Sequence, residues 1–214
     1  DGRATLLGLL ATVRDDDGSG ANDAMGEEAV AMARRLGDAG VLSTALLARH
    51  LIVVGPDSPL PRLALADEAV ALVEHGATMN EQLARGARVH CLLELGEIAE
   101  AKSEIERMAR AADRTKEPVG QWQVLVRRAT VALLEGRFDD GARIATEALA
   151  IRRNAGDPAV LQHFVLQMFL ARREPEHRGG LEGSIRWLID QSPEASHWSC
   201  VLAVFLADSG RVEE

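Results

Sequence analysis

Tyrosine is absent from this 214-residue chain, and aromatic residues together make up 3% of it. A core so poor in rings has to be filled by small aliphatic side chains, which suits helices that approach one another closely. Lysine is almost as scarce. Lys102 and Lys116 are the only two, so nearly all positive charge is arginine, a bias read here as genome composition before function. The net charge of −9 and a pI near 5.2 argue against direct contact with nucleic acid, because phosphate binding needs a positive footprint. Cysteine is limited to Cys91 and Cys200, with no CxxC and no spaced histidine partner. That pattern predicts two reduced cysteines packed in helices and, with them, a cytoplasmic setting. The longest early apolar run, Leu6-Leu7-Gly8-Leu9-Leu10-Ala11, is too short to cross a bilayer, and no basic segment precedes it, so no membrane partner is expected.

Catalytic signatures are missing too. The histidines His50, His75, His90, His163, His177 and His197 form no HExxH, and no two lie four apart, so no zinc site is expected. Glu174-Pro175-Glu176-His177 is a cluster by sequence but falls in a proline-broken loop. Gly18-Ser19-Gly20 is not followed by Gly-Lys-Ser/Thr and is no phosphate loop. Asp15, Asp17, Ser19 and Gly20 match the start of a calcium loop, yet position 12 is Gly26, with Glu27 one residue late. Without the bidentate glutamate the strongest oxygen donor is lost, and residues 15–22 read as a solvated linker. No serine or cysteine sits in a nucleophile elbow. The sequence calls for no cofactor, no metal and no enzymatic activity.

What is present is repetition. Glu28-Ala29-Val30-Ala31-Met32 returns 40 residues later as Glu68-Ala69-Val70-Ala71-Leu72, and 79 residues after that as Glu147-Ala148-Leu149-Ala150-Ile151. A degraded middle copy is Arg107-Met108-Ala109-Arg110-Ala111. A fixed period of 20–50 residues is the signature of a solenoid, in which each unit buries its apolar face against its neighbours. Two kinds of punctuation divide each repeat into a pair of antiparallel helices, A and B. One opens a helix with Gly37-Asp38, Gly76-Ala77 or Gly156-Asp157. The other is a tight turn: Gly96-Glu97-Ile98, Gly136-Arg137-Phe138, Gly210-Arg211-Val212. Glycine past a helix end supports a left-handed cap, and early acids favour the next helix dipole.

The helices read as A 4–14, B 23–36, A 39–54, B 63–75, A 79–95, B 98–113, A 118–135, B 138–155, A 158–173, B 181–191 and A 195–209. Gly55-Pro56-Asp57-Ser58-Pro59-Leu60-Pro61 is expected to be non-helical, a rigid bend. After Gly96, the residues Ile98, Ala101, Ile105 and Met108 make an apolar stripe; after Gly136, Phe138, Gly141, Ala145 and Ala148 repeat it at identical offsets. Small residues in these stripes let the neighbouring A helix come close. The fold class is all-α, a right-handed superhelix of helical hairpins over residues 1–214. The ending at Gly210-Arg211-Val212-Glu213-Glu214 looks like the opening of another repeat, as in a piece of a larger protein.

Leu134-Glu135-Gly136-Arg137-Phe138 leading to Ala148, and Leu95-Gly96-Glu97-Ile98 leading to Ala101, resemble the tetratricopeptide repeat (TPR). The period here is nearer 40 than that family's roughly 34, and the tryptophan and tyrosine of its first helix are mostly missing. The stretch from Trp122 through Gly156-Asp157-Pro158 to Trp198 and Gly210 is similar to the helical-repeat regions of large bacterial ATP-binding regulators of the LuxR-type, SARP-type and cyclase-linked kinds. That resemblance implies a non-catalytic, signalling module of transcription regulation. It would sense a small-molecule inducer or dock another protein or domain; the alternative is a pure protein–protein scaffold.

A superhelix of this kind turns its A helices toward a concave groove, so polar and aromatic residues on them are the candidate ligand contacts. These are Trp122, Gln123, Arg127 and Arg128 (with Gln121), His163 and Gln167 (with Gln162), and Trp198 (with His197); Arg88 and His90 are secondary. Arg127 and Arg128 point to an anionic or acidic partner despite the net negative charge, since arginine holds such a group with two parallel hydrogen bonds.

Overall fold

The computed structural model describes residues 2–13, 21–53, 59–74, 80–152, 157–172, 180–191 and 196–211. Among them are eleven α-helices and no β-strand. They are α1 (Gly2–Val13), α2 (Ala21–Leu36), α3 (Ala39–Ile52), α4 (Pro59–Glu74), α5 (Glu81–Glu94), α6 (Ile98–Thr115), α7 (Pro118–Leu134), α8 (Phe138–Arg152), α9 (Pro158–Ala171), α10 (Leu181–Gln191) and α11 (Ser196–Asp208). The acidic segment 15–20, His75, Gly76-Ala77, Gly156 and Glu174–His177 lie outside the described residues.

Local chemistry accounts for the helix boundaries. Asp38 caps α3, its Oδ1 accepting from the backbone N–H groups of Gly40 at 2.9 Å and Val41 at 3.0 Å. Asp157 caps α9 by accepting from Ala159 N–H at 3.0 Å. Each carboxylate satisfies amides that have no partner inside the helix. The acid of the Gly-Asp pair thus sits at the cap, one step before the first turn. Gly96 and Gly136 close α5 and α7 with positive φ of 78° and 76°. Beside them, Glu97 N–H donates to the Leu92 carbonyl at 2.8 Å and Arg137 N–H to that of Ala132 at 2.9 Å, the six-residue bond of a Schellman end.

One boundary departs from the sequence expectation. Pro59, Leu60 and Pro61 belong to the first turn of α4 and are not part of a non-helical bend. A helix's first turn needs no intrahelical N–H donor, so prolines are accommodated there.

The chain divides into two compact units, Asp1–Thr115 and Lys116–Glu214. In the first, each helix packs on the next, and α1 on α3 and α3 on α5 as well. Its core is dominated by alanine: Ala4, Ala29, Ala33, Ala45, Ala69 and Ala84 are fully buried, with Leu46, Val30, Val70 and Val73 around them. In the second, α7 packs on α8 and α9, α8 on α9, and α10 on α9 and α11. Its cores gather Val165, Met168, Ile185, Leu188, Trp198 and Phe205, and Trp122, Val126, Ala148 and Val160.

The small-residue stripes do what their spacing implies. Ala101, Ile105 and Met108 are buried on α6, and Gly141, Ala145 and Ala148 on α8. At Gly141 a Cβ would lie 2.5 Å from Leu133 Cδ2, so this crossing of α7 and α8 is as close as glycine permits.

Candidate functional site

Within the second unit, α7 and α9 run side by side and are tied by one buried amide. Gln167 Nε2 donates to the Val126 carbonyl at 2.7 Å and to Thr130 Oγ1 at 3.0 Å. That bond pair brings the Gln167 turn of α9 level with residues 126–130 of α7. Beside it is a cavity of about 620 Å³, lined by Thr130, Leu133 and Leu134 of α7, Gly136 of the turn, Phe138 at the start of α8, and His163, Leu166, Gln167 and Leu170 of α9. The volume falls in the range of small-molecule sites, roughly 300–1,000 Å³. Leu134 and Leu170 are 59% and 58% exposed and Leu166 39%. Large apolar side chains left in water together mark binding surfaces more often than scattered ones do.

Behind one lining residue, His163, stands Trp122. The buried indole meets the His163 ring edge-on, with centroids 5.3 Å apart, and Arg152 lies 5.4 Å from the indole centroid in cation–π contact. His163 Nδ1 donates to the Ala159 carbonyl at 2.8 Å, which holds the imidazole against α9 and leaves Nε2 as its other polar atom.

Arg127 stands out electrostatically. Its Nη1 donates to the Gln123 carbonyl at 3.1 Å, and no carboxylate pairs with it among the described residues. Desolvation lowers its pKa to about 10, so this half-buried guanidinium stays cationic at neutrality. Gln123, one turn earlier, has its Oε1 buried without a hydrogen-bond partner among the described residues.

The remaining candidates are placed elsewhere. Trp198 is 1% exposed, inside the core formed with α9 and α10, and His197 packs on it at 5.2 Å. Arg128 is half-buried and, next to Arg127 in sequence, projects about 100° away around the helix. Arg88 and His90 belong to the first unit. Arg88 is held by Asp67 at 2.7 Å and Glu104 at 3.2 Å; His90 Nε2 lies 2.9 Å from Glu94. The cavity therefore unites His163 and Gln167, with Trp122 packed on His163 and with Gln123 and Arg127 on the same helix as Thr130, Leu133 and Leu134.

Sequence reasoning did not single out Leu134, Leu166 or Leu170. It also missed two buried polar groups in the first unit. Glu104, 1% exposed, accepts from Arg85 at 2.6 Å, Arg107 at 2.7 Å and Arg88. Buried His50 donates from Nδ1 to the Arg62 carbonyl at 3.2 Å and accepts at Nε2 from Arg62 Nη2 at 3.4 Å, while Arg62 Nη1 holds Glu94 at 2.9 Å. Cys91 is buried and Cys200 exposed, both as free thiols. Among the described residues, no group of three His, Cys, Asp or Glu side chains is placed to hold a metal, and no helix is long and apolar enough to cross a membrane.

No protein-family model matches the chain, and no curated protein shows significant sequence similarity to it.

Proposed function

We propose that this chain is a TPR-like helical-repeat binding module, a right-handed superhelix that receives a ligand between the A helices α7 and α9. The observation that carries this reading is the cavity itself. It is mostly apolar, of small-molecule size, and fitted with a few fixed polar groups in Thr130, His163 and Gln167. An inducer needs a partly enclosed apolar pocket with sparse polar anchors, whereas a peptide docked along its backbone would use an open polar trough. The resemblance to bacterial ATP-binding regulators supplies the setting, a sensor attached to a switch. A ligand bridging α7 and α9 favours whichever angle between neighbouring hairpins suits it best, and only such a difference in affinity between states can drive a switch.

The scaffold reading draws on a different feature. Leu6, Leu9 and Leu10 are 67%, 48% and 53% exposed on one face of α1, an apolar strip of the kind that docks another helix.

A fragment screen by two-dimensional amide NMR separates the two. The sensor reading expects shifts grouped on α7, the 135–138 turn and α9, and Leu170→Glu should abolish them. Hits confined to α1, or none at all with small molecules, would count for the scaffold.

A further inference from the structure

We infer that the ligand of the α7–α9 cavity is a small amphiphile with an apolar body and a single carboxylate, and that Arg127 receives that carboxylate. This rests on the reading of the cavity as a binding site and specifies its chemistry.

The position of Arg127 follows from the helix it belongs to. Arg127, Thr130 and Leu134 are spaced i, i+3 and i+7, so they share one face of α7, and the second and third of them line the cavity. The axial level follows from α9. Gln167 is bonded to residues 126 and 130, on either side of Arg127. His163, another lining residue, packs on Trp122, more than a turn earlier in α7. On α9 the wall thus reaches back past the level of Arg127 through His163, while on α7 the lining begins at Thr130, one turn beyond Arg127 on the face the two share.

The charge follows from what Arg127 lacks. Arg62, Arg85, Arg88 and Arg107 are each met by a carboxylate and Arg152 by an aromatic face; among the described residues Arg127 has one carbonyl, that of Gln123. A guanidinium carries five N–H donors, so most of its capacity is open to a group from outside. Desolvation without compensation is costly for the free protein and is relieved by an anion arriving with its own charge. A planar carboxylate matches the guanidinium fork with two parallel bonds. One guanidinium with no carboxylate beside it among the described residues, in a chain of net charge −9, suits a monoanion better than a phosphate dianion or an acidic peptide. The buried, unpartnered Gln123 Oε1 marks a second polar atom a turn away, able to accept from a hydroxyl or amide on the same ligand. The leucines of α7 and α9 call for an aliphatic remainder.

Calorimetric titration of the full chain with octanoate and with 1-octanol tests this, the two probes sharing an eight-carbon skeleton and differing at the head group. Octanoate should bind at least tenfold more tightly. Arg127→Gln should bring octanoate down to the affinity of 1-octanol, leave 1-octanol unchanged, and leave the melting temperature equal or higher, since a cation serving only the fold would be missed. Arg127→Lys should restore part of the preference. Leu166→Glu should weaken both probes. Equal affinities in the parent, or a preference that survives Arg127→Gln, overturn the carboxylate assignment while the cavity stands as a binding site. No binding of either probe at millimolar concentration, or binding indifferent to Leu166→Glu, overturns both.

Discussion

Glu104 is the residue on which the first unit's polar interior depends. Three arginines from two helices converge on it, Arg85 and Arg88 from α5 and Arg107 from its own helix α6. Burial works against its charge, but the hydrogen bonds from Arg85 and Arg107 outweigh that penalty and hold its pKa below the ordinary value. Such a network does not add much to stability when intact, yet removing one member strands the others. Glu104→Ala leaves buried Arg85 with only Glu81 and Glu74 and should cost about 3–5 kcal/mol. Arg107→Ala, which removes a 45% exposed partner, should cost about 1 kcal/mol or less. Urea unfolding of the two variants measures the contrast, and equal losses would mean that the network is not centred on the carboxylate.

At the scale of helices, the glycine turns and alanine stripes made most of the boundaries legible. The sequence reading placed the α6 and α7 starts at 98 and 118, where they are found, because Gly96 and Pro118 each have one dominant local use. It misjudged Pro59 and Pro61 because proline opens a helix as readily as it breaks one. The candidate site was half legible. Polar and aromatic residues on A helices stood out; of them His163 and Gln167 line the cavity, and Trp122 packs on His163. The leucines did not stand out, because Pro158–Ala171 is apolar on every face. Nothing in that run distinguishes buried Val165 and Met168 from Leu166 and Leu170 in the cavity wall. The ion network escaped notice for a related reason: Arg85 and Glu104 are 19 residues apart, and only packing brings them together. The close crossing of α7 and α8 was legible and makes a sharp prediction. Ala148→Phe should overpack the contact with Trp122 and Val126 and cost about 1–3 kcal/mol. Gly141→Ala, facing Leu133 at 2.5 Å, should also destabilise although it raises helix propensity. Thermal melts that leave either variant as stable as the parent would show that the two helices have room to separate.

At the scale of the whole molecule, the two units differ in how they should answer acid. In the first, buried His50 has its pKa lowered, chiefly by burial, with Arg62 and His90 adding repulsion, while the Arg62 carbonyl and Glu94 act the other way. Glu104 is lowered as well, its arginine hydrogen bonds overcoming burial. For both, the folded unit holds fewer protons than the unfolded chain near the group's ordinary pKa, so their contribution is present above that value and is lost as pH falls. The loss begins below about 6.5 for His50 and below about 4.5 for Glu104. In the second unit the lowered carboxylates are Glu182, beside Arg211 and Arg186, and Asp140, beside Arg137 and Arg143. These are solvated surface pairs, which contribute little, and Arg127 remains charged throughout the range. Repeats held mainly by their neighbours can lose structure region by region. Hydrogen exchange at pH 7, 5.5 and 4 should therefore show α3–α6 losing protection before α7–α9. His50→Leu should flatten the upper part of that response, between pH 7 and 5.5, and leave the lower part to Glu104. Simultaneous loss across all these helices, or earlier loss in α7–α9, would place the acid-sensitive groups outside the His50 and Glu104 clusters.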